Sequence, residues 1–238
     1  MKKPTLLDRA VMASLRRFFD ERAMSANLAI RNGYGAVEDS ELVSFYDDLY
    51  RDLDRHLQAG PGQRVLDVGC GTGEILSRLA ASSGQAIGID IAPNMVRAAR
   101  ERGLDARIYD GARFPFPDAA FDRVLMNFVL INVPQATLAQ RLIEEALRVL
   151  APGGRLLVGT NPKPSQNSFA VVRDLGPYRR LRELISMRLR SRDFWVVCYD
   201  YAFFMAFFER CALSAVHVVG AAVGHPSMKG KFHVLMCK

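Results

Sequence analysis

Hydrophobic positions change period along this chain. Between residues 5 and 30, Leu7, Val11, Leu15 and Phe18 recur at helical spacing, with Arg9, Arg16, Arg17 and Arg22 between them. One apolar stripe beside one basic face predicts an amphipathic helix. Residues 32–35 break the pattern. Ser40 has the chemistry of a helix cap, and a second helix is expected from there to Leu57, stopped by Gly60-Pro61-Gly62.

From residue 64 the pattern alternates. Short apolar runs at 64–69, 86–91, 106–109, 121–128 and 155–159 read as strands. Stretches at 74–81, 93–102 and 136–150 carry helical periodicity. Pro93 opens one of these helices and Gly103 follows it, which is the usual punctuation. Strands alternating with helices predict an α/β fold with a parallel sheet covered on both faces. Runs at 214–219 and 232–237 have no helix between them, so a hairpin should add an antiparallel strand to that sheet. The expected division is a helical cap over 1–60 and a main domain over 61–238. An insertion at 161–209 is expected to act as a lid. It holds Arg179, Arg180, Arg182, Arg188, Arg190 and Arg192, then an aromatic stretch at 194–208. The arginines either select an anionic substrate or form a solvated helix face.

Composition narrows the classes. With 238 residues and half of them hydrophobic, a full core can be buried. No apolar run reaches the length of about 18 residues that a spanning helix needs, and Asp8 and Arg9 arrive before any leader-type apolar segment can develop. A cytoplasmic location is the expectation. Cys70, Cys198, Cys211 and Cys237 are scattered, so neither a disulfide framework nor a zinc site is expected, and no metal is called for. The net charge of +7 is compatible with nucleic acid, anionic lipid or an acidic small molecule. No nucleic-acid-binding module accompanies it, which favours a small-molecule partner. The basic first helix either packs on the domain or meets a membrane surface or a second copy in a homodimer.

The sharpest segment is Val65-Leu66-Asp67-Val68-Gly69-Cys70-Gly71-Thr72-Gly73, a strand, a glycine turn and a helix start. Glycines let the backbone turn tightly and let a ligand approach the main chain. A dinucleotide fingerprint would need glycine at position 74, where Glu74 would set a negative charge against a pyrophosphate. Asp67 ends a strand that should be buried, where an unpaired carboxylate is costly. It either caps a loop or meets a cationic ligand. Asp90 follows Gly69 at about the 20-residue interval of an acid that accepts from ribose hydroxyls; its other reading is a cap for the helix after Pro93.

Five motifs in order, spanning residues 64–158, carry a family resemblance. Val65–Gly73 resembles the first motif of class I, Rossmann-like S-adenosylmethionine-dependent methyltransferases of the small-molecule type. Gly88-Ile89-Asp90-Ile91-Ala92-Pro93-Asn94-Met95 resembles the motif after the second strand, and Asp110-Gly111-Ala112 the acidic motif after the third. Phe114-Pro115-Phe116-Pro117-Asp118 with Phe121-Asp122, and Leu150-Ala151-Pro152-Gly153-Gly154, resemble the entries to the fourth and fifth strands. The resemblance implies a seven-stranded, mostly parallel sheet with an antiparallel last strand, and S-adenosylmethionine as cofactor. It implies that Asp67, Gly69, Cys70 and Gly71 surround the methionine part and Asp90 the ribose. Ile91 and Met95 would pack on the adenine, Asp110, Gly111 and Ala112 would lie at its amino group, and Asn127 and Phe128 would line the methyl end. The chain departs from many relatives at Ile131-Asn132, where they carry His, and at Cys211-Ala212-Leu213.

Transfer from a sulfonium needs a nucleophile held about 3 Å from the methyl carbon with water excluded. A base is needed only if the acceptor arrives protonated. The residue types that could serve are Tyr34, Tyr46, His56, Tyr199, Asp200, Tyr201, His217, His225 and His233. Of these, His217 and His233 fall in expected strands, His225 in a Gly-His-Pro loop, and Tyr46 in a segment resembling the family's N-terminal helix over the cofactor. The acceptor is a small molecule, with O, N and C as open possibilities for the atom methylated; methylation of RNA or protein, and binding without catalysis, are the alternatives.

Overall fold

The computed structural model describes residues 5–24, 39–133, 135–160, 199, 201–224, 228 and 231–238. Its elements are α1 (Leu6–Ala23), α2 (Leu42–Leu57), β1 (Arg64–Val68), α3 (Glu74–Ser83), β2 (Gln85–Asp90), α4 (Pro93–Glu101) and β3 (Ala106–Ile108). These are followed by β4 (Phe121–Asn127), α5 (Ala136–Val149), β5 (Leu150–Thr160), α6 (Tyr201–Arg210), β6 (Ala215–Gly220) and β7 (Phe232–Cys237). All seven strands form one sheet in the order β3-β2-β1-β4-β5-β7-β6. The first five pair in parallel, and β7 runs antiparallel to both neighbours. The antiparallel strand is inserted between β5 and β6, so β6 is the edge. The start of β7 therefore lies beside the carboxyl end of β5, where Phe232 pairs with Thr160.

Alternation along the central strands sorts the core into two layers, as a period of two requires. Leu66 and Val68, Val124 and Met126, and Leu156 and Val158 share one apolar cluster with α5 and α6. Val65, Leu125 and Leu157 share the other with Leu49, Leu53 and Leu57 of α2 and Leu79 of α3. Asp67 is two residues from Val65 and points to the α2 side.

Two helix starts and stops differ from the sequence expectation. The first helix ends at Ala23 with Met24 as its cap, not at residue 30. Its start is a capping box, in which Thr5 accepts from the Asp8 amide and Asp8 from that of Thr5. Asp8 is buried and takes Arg141 of α5 at 2.6 Å, while Asp20 accepts from the Asn94 amide at the start of α4 at 2.6 Å. The helix is thus fastened at both ends to the sheet's covering helices. The second helix begins with Glu41 at its cap, because Ser40 sits inside a tighter 3₁₀ turn at Asp39–Glu41. A buried pair, Asp52 Oδ2 and His233 Nε2 at 2.9 Å, ties α2 to β7. Burial pushes the Asp52 carboxyl upward, but its hydrogen bonds to His233 and to the Ala222 backbone bring it below the ordinary carboxylate value.

The loop before β4 depends on one buried acid. Glu145 is fully buried, accepts from the Phe114 amide at 2.8 Å and holds Arg148 through two bonds of 2.7 and 2.8 Å. Arg148 in turn donates to the carbonyls of Phe114 and Phe116 and to Asp118. Every lone polar group here has a partner, which is what makes burial of the ion pair tolerable. Glu145→Ala is expected to lower stability by about 3–5 kcal/mol, the scale of breaking a buried pair from one side. Glu145→Gln should cost less, because it keeps an acceptor for Phe114. Urea titration of both variants checks the order.

Candidate active site

The cleft lies at the carboxyl edge of the parallel strands, on both sides of the β1–β4 junction. Open α/β sheets bind ligands at this edge, where the strand order reverses. The turn after β1 forms its floor. Gly69, Gly71 and Gly73 all have positive φ, at 74°, 54° and 88°, a region that side chains disfavour. Gly73 also sits against α4, where an added Cβ would fall 2.4 Å from Leu104 and 3.3 Å from Ala99.

Two acids converge on this turn. Asp90 closes β2, and its carboxylate accepts from the Gly71 amide at 3.0 Å and the Ala92 amide at 2.9 Å. It therefore braces the glycine turn against β2, and Ala92 rather than Asp90 occupies the cap position of α4. Burial raises the Asp90 carboxyl, and those backbone amides oppose the rise. Asp67 is 3% exposed, and no hydrogen bond to its carboxylate occurs among the described residues. Burial, then the nearby charge of Asp90, push it up to about 8. Cys70 between the glycines is buried, and burial followed by the charges of Asp90 and Asp67 push its thiol well above the ordinary value. Its Sγ and Cβ fill the space beside Gly88, where a Cβ would fall 2.6 Å from the sulfur.

The walls are apolar. Ile91 and Met95 border the cleft on the β2 side. Met12, Leu15 and Phe19 of α1 face them, a contribution the helical stripe allowed but did not assign to a site. Asp110, Gly111 and Ala112 do not border it. Asp110 Oδ1 accepts from the amides of Ala112 and Arg113 at 2.8 and 3.0 Å, and Gly111 makes room for Met12, whose Cε would lie 2.2 Å from a Cβ there. Tyr109, just before them, reaches the cleft instead.

At the other end Asn127 and Phe128 border the cleft. Phe128 has φ of 55°, a strained value for a side chain of this size. Its amide donates to Gly159 at 3.1 Å, and its carbonyl accepts from Asn132 Nδ2 at 2.9 Å, so both neighbours hold it there. Lys231 reaches the same end with Nζ 4.4 Å from the Phe128 ring centre; nothing in the sequence singled it out.

The groups considered as bases separate clearly. Tyr46 is buried and borders the cleft. His233 is committed to Asp52, His217 is exposed on the edge strand, and Tyr199 donates to the Val133 carbonyl. His225, Tyr34, Asp200 and the arginines at 179–192 lie outside the described residues, as does the side chain of Tyr201.

Residues 66–158 match the family model described as a methyltransferase domain. The chain is 38% identical over 144 residues to a demethylmenaquinone methyltransferase of Thermus thermophilus, covering 56% of this chain and 64% of that protein. It is 37% identical over 154 residues to a ubiquinone/menaquinone biosynthesis C-methyltransferase of Azotobacter vinelandii, covering 53% and 60%. The chain thus spans less than two thirds of either relative. Its fold is that of magnesium protoporphyrin IX methyltransferase from Synechocystis, solved with S-adenosylhomocysteine bound, at a TM-score of 0.62 and 16% identity over 96% of this chain and 99% of that one. No helix among the described residues is long and apolar enough to cross a membrane. Residues 66–158 thus match a methyltransferase domain, and the chain has the Rossmann-like fold of that solved methyltransferase.

Proposed function

We propose that this chain methylates a small hydroxylated aromatic molecule at ring carbon, with S-adenosylmethionine as donor, on the cytoplasmic side. The observation that carries the donor half is Asp67, a buried carboxylate aimed at the cleft without a hydrogen-bonding partner among the described residues. A cationic ligand is what such a group lacks. The acceptor half is supported by the quinone-type substrates named for the two relatives.

The residues present fit the cofactor. Asp67 would pair with its ammonium group, beside the exposed main chain of Gly69 and Gly71. Asp90 keeps lone pairs beyond its two backbone bonds and would accept from the ribose hydroxyls. Ile91, Met95, Met12 and Leu15 would sandwich an adenine ring. S-adenosylmethionine supplies a methyl group already activated on a sulfonium, so the protein's task is to hold an acceptor carbon in line and keep water away. Phe128, Ile131 and Tyr46 do the second at the far end.

Asp67 makes binding pH-dependent. Its carboxyl is held at about 8 in the free protein and returns to an ordinary value in the unfolded chain. The free fold therefore loses stability as pH climbs from the ordinary carboxylate range to about 8, because the unfolded state ionises first. A bound ammonium favours the carboxylate and reverses that loss. S-adenosylhomocysteine binding at pH 7 should release close to one proton, detectable by calorimetry in buffers of different ionisation heat. Asp67→Asn should release none. Equal release by both proteins would remove Asp67 from the site.

Asp90→Ala should weaken S-adenosylhomocysteine binding by roughly 1–3 kcal/mol, the cost of hydrogen bonds left unmade in a buried site. The wild type should not respond to NAD. Turnover is tested with a reduced demethylnaphthoquinone carrying a short prenyl chain, followed by mass spectrometry for one added methyl on carbon. Calorimetry that shows NAD binding and no response to either adenosyl compound would end the proposal.

A further inference from the structure

The acceptor end of the cleft holds a cation that no motif accounts for. Lys231 stands immediately before β7, and because β7 is inserted beside β5, its first residues meet the carboxyl edge of the parallel strands. The backbone there is fixed. The Lys231 amide donates to Met228, which is fully buried, and its carbonyl accepts from Ala221 at 2.9 Å. The side chain then lies over Phe128, with Nζ 4.4 Å from the ring centre, and borders the cleft. Phe128 is itself locked in its strained conformation by Gly159 and Asn132.

An ammonium carries three donors. The ring face stabilises the charge from one direction only. Burial lowers the Lys231 amine to about 8, and no carboxylate among the described residues opposes that shift. The carboxylates that border the cleft among the described residues, Asp67, Glu74 and Asp90, gather around the glycine turn. The acids thus stand where the donor's ammonium and ribose would lie, and the Lys231 amine stands beyond Asn127 and Phe128. A lysine on that side faces a site destined for a sulfonium, an arrangement of like charges that costs energy unless an anion lies between them.

We propose that Lys231 is the acceptor-binding cation of this enzyme and takes an anionic oxygen, a phenolate or an equivalent oxyanion, of an aromatic acceptor. This rests on the donor site assigned above. The acceptor's O–H gives its proton to bulk water, and the resulting oxygen pairs with the ammonium. A phenolate donates more electron density to its ring carbons than a phenol does, so the same contact that selects the acceptor prepares it for methylation. Lys231 is here a specificity-determining residue, and Phe128 positions it.

The probe is para-nitrophenolate, whose absorption distinguishes the ionised from the neutral form. Protein saturated with S-adenosylhomocysteine is titrated with it at pH 7. The wild type should bind the ionised form, Lys231→Arg should retain binding, and Lys231→Met should weaken it by about tenfold or more, the scale of one lost charge-assisted hydrogen bond. Calorimetric affinity for S-adenosylhomocysteine should be unchanged in Lys231→Met, which separates this proposal from the donor site. If Lys231→Met does not fold, the wild type decides: para-nitrophenolate should slow acylation of Lys231, followed by peptide mass spectrometry. Equal probe binding by wild type and Lys231→Met, no binding of the ionised form by the wild type, or no protection of the amine overturns the proposal. Loss of S-adenosylhomocysteine binding in the wild type overturns the donor site instead.

Discussion

The structure around the cleft depends on a buried carboxylate that has no hydrogen-bonding partner among the described residues. Taking an ionised group out of water costs several kcal/mol unless something replaces its hydration. Asp90 meets that demand with the Gly71 and Ala92 amides. Asp67, one strand over, does not, and its charge is further opposed by Asp90. Both acids end central strands, and the glycine turn between them has its amides committed to the sheet: Gly69 and Cys70 donate to Ile89, and Gly71 to Asp90. The turn is thus rigid before any ligand arrives.

The remainder of the cleft follows from what must cover it. A sheet edge with two acids cannot be left wide open to water if the site is to favour a sulfonium reaction. The first helix supplies the cover with Met12, Leu15 and Phe19, and two buried contacts hold it, Asp8 with Arg141 and Asp20 with the Asn94 amide. Arg16 turns inward and donates to the Tyr109 carbonyl at 3.3 Å, whereas Arg17 pairs with Glu21 on the surface. Exposed pairs of that kind contribute little. The docking of α1 is therefore a matter of its apolar stripe and its polar contacts through Asp8, Arg16 and Asp20, not of the ion pair on its surface.

The central strands, the glycine turn and both acids were legible because they are local. A strand, a turn of three glycines and a helix start occupy consecutive residues, and Asp90 falls at a fixed interval from them. The lengths of β1 and β7 could be read within a residue or two for the same reason. Positions set by tertiary contact were not legible. Tyr109, which no motif singled out, borders the cleft, while Asp110 Oδ1 accepts from the amides of its own turn. Ser40 has better capping chemistry than Glu41, but the tight turn before α2 displaces it. Lys231 has no local signal at all. Its place depends on β7 entering between β5 and β6, which no run of neighbouring residues states.

That difference divides the cleft by origin. The end with Asp67, the glycine turn, Asp90 and Met95 falls inside the stretch at 66–158 that matches the methyltransferase domain. The walls outside that stretch come from α1, from Tyr46 of α2 and from Lys231. The donor is one molecule, so the groups that hold it face one fixed problem and can be built from adjacent strand ends. Acceptors differ in shape and charge, and elements packed onto the sheet from elsewhere in the chain can change without disturbing the glycine turn. Asn127 and Phe128 stand where the two halves meet. Phe128 holds its left-handed backbone only because β5 and the following turn both grip it, and strain at the boundary is what fixes the ring against which the acceptor side is assembled.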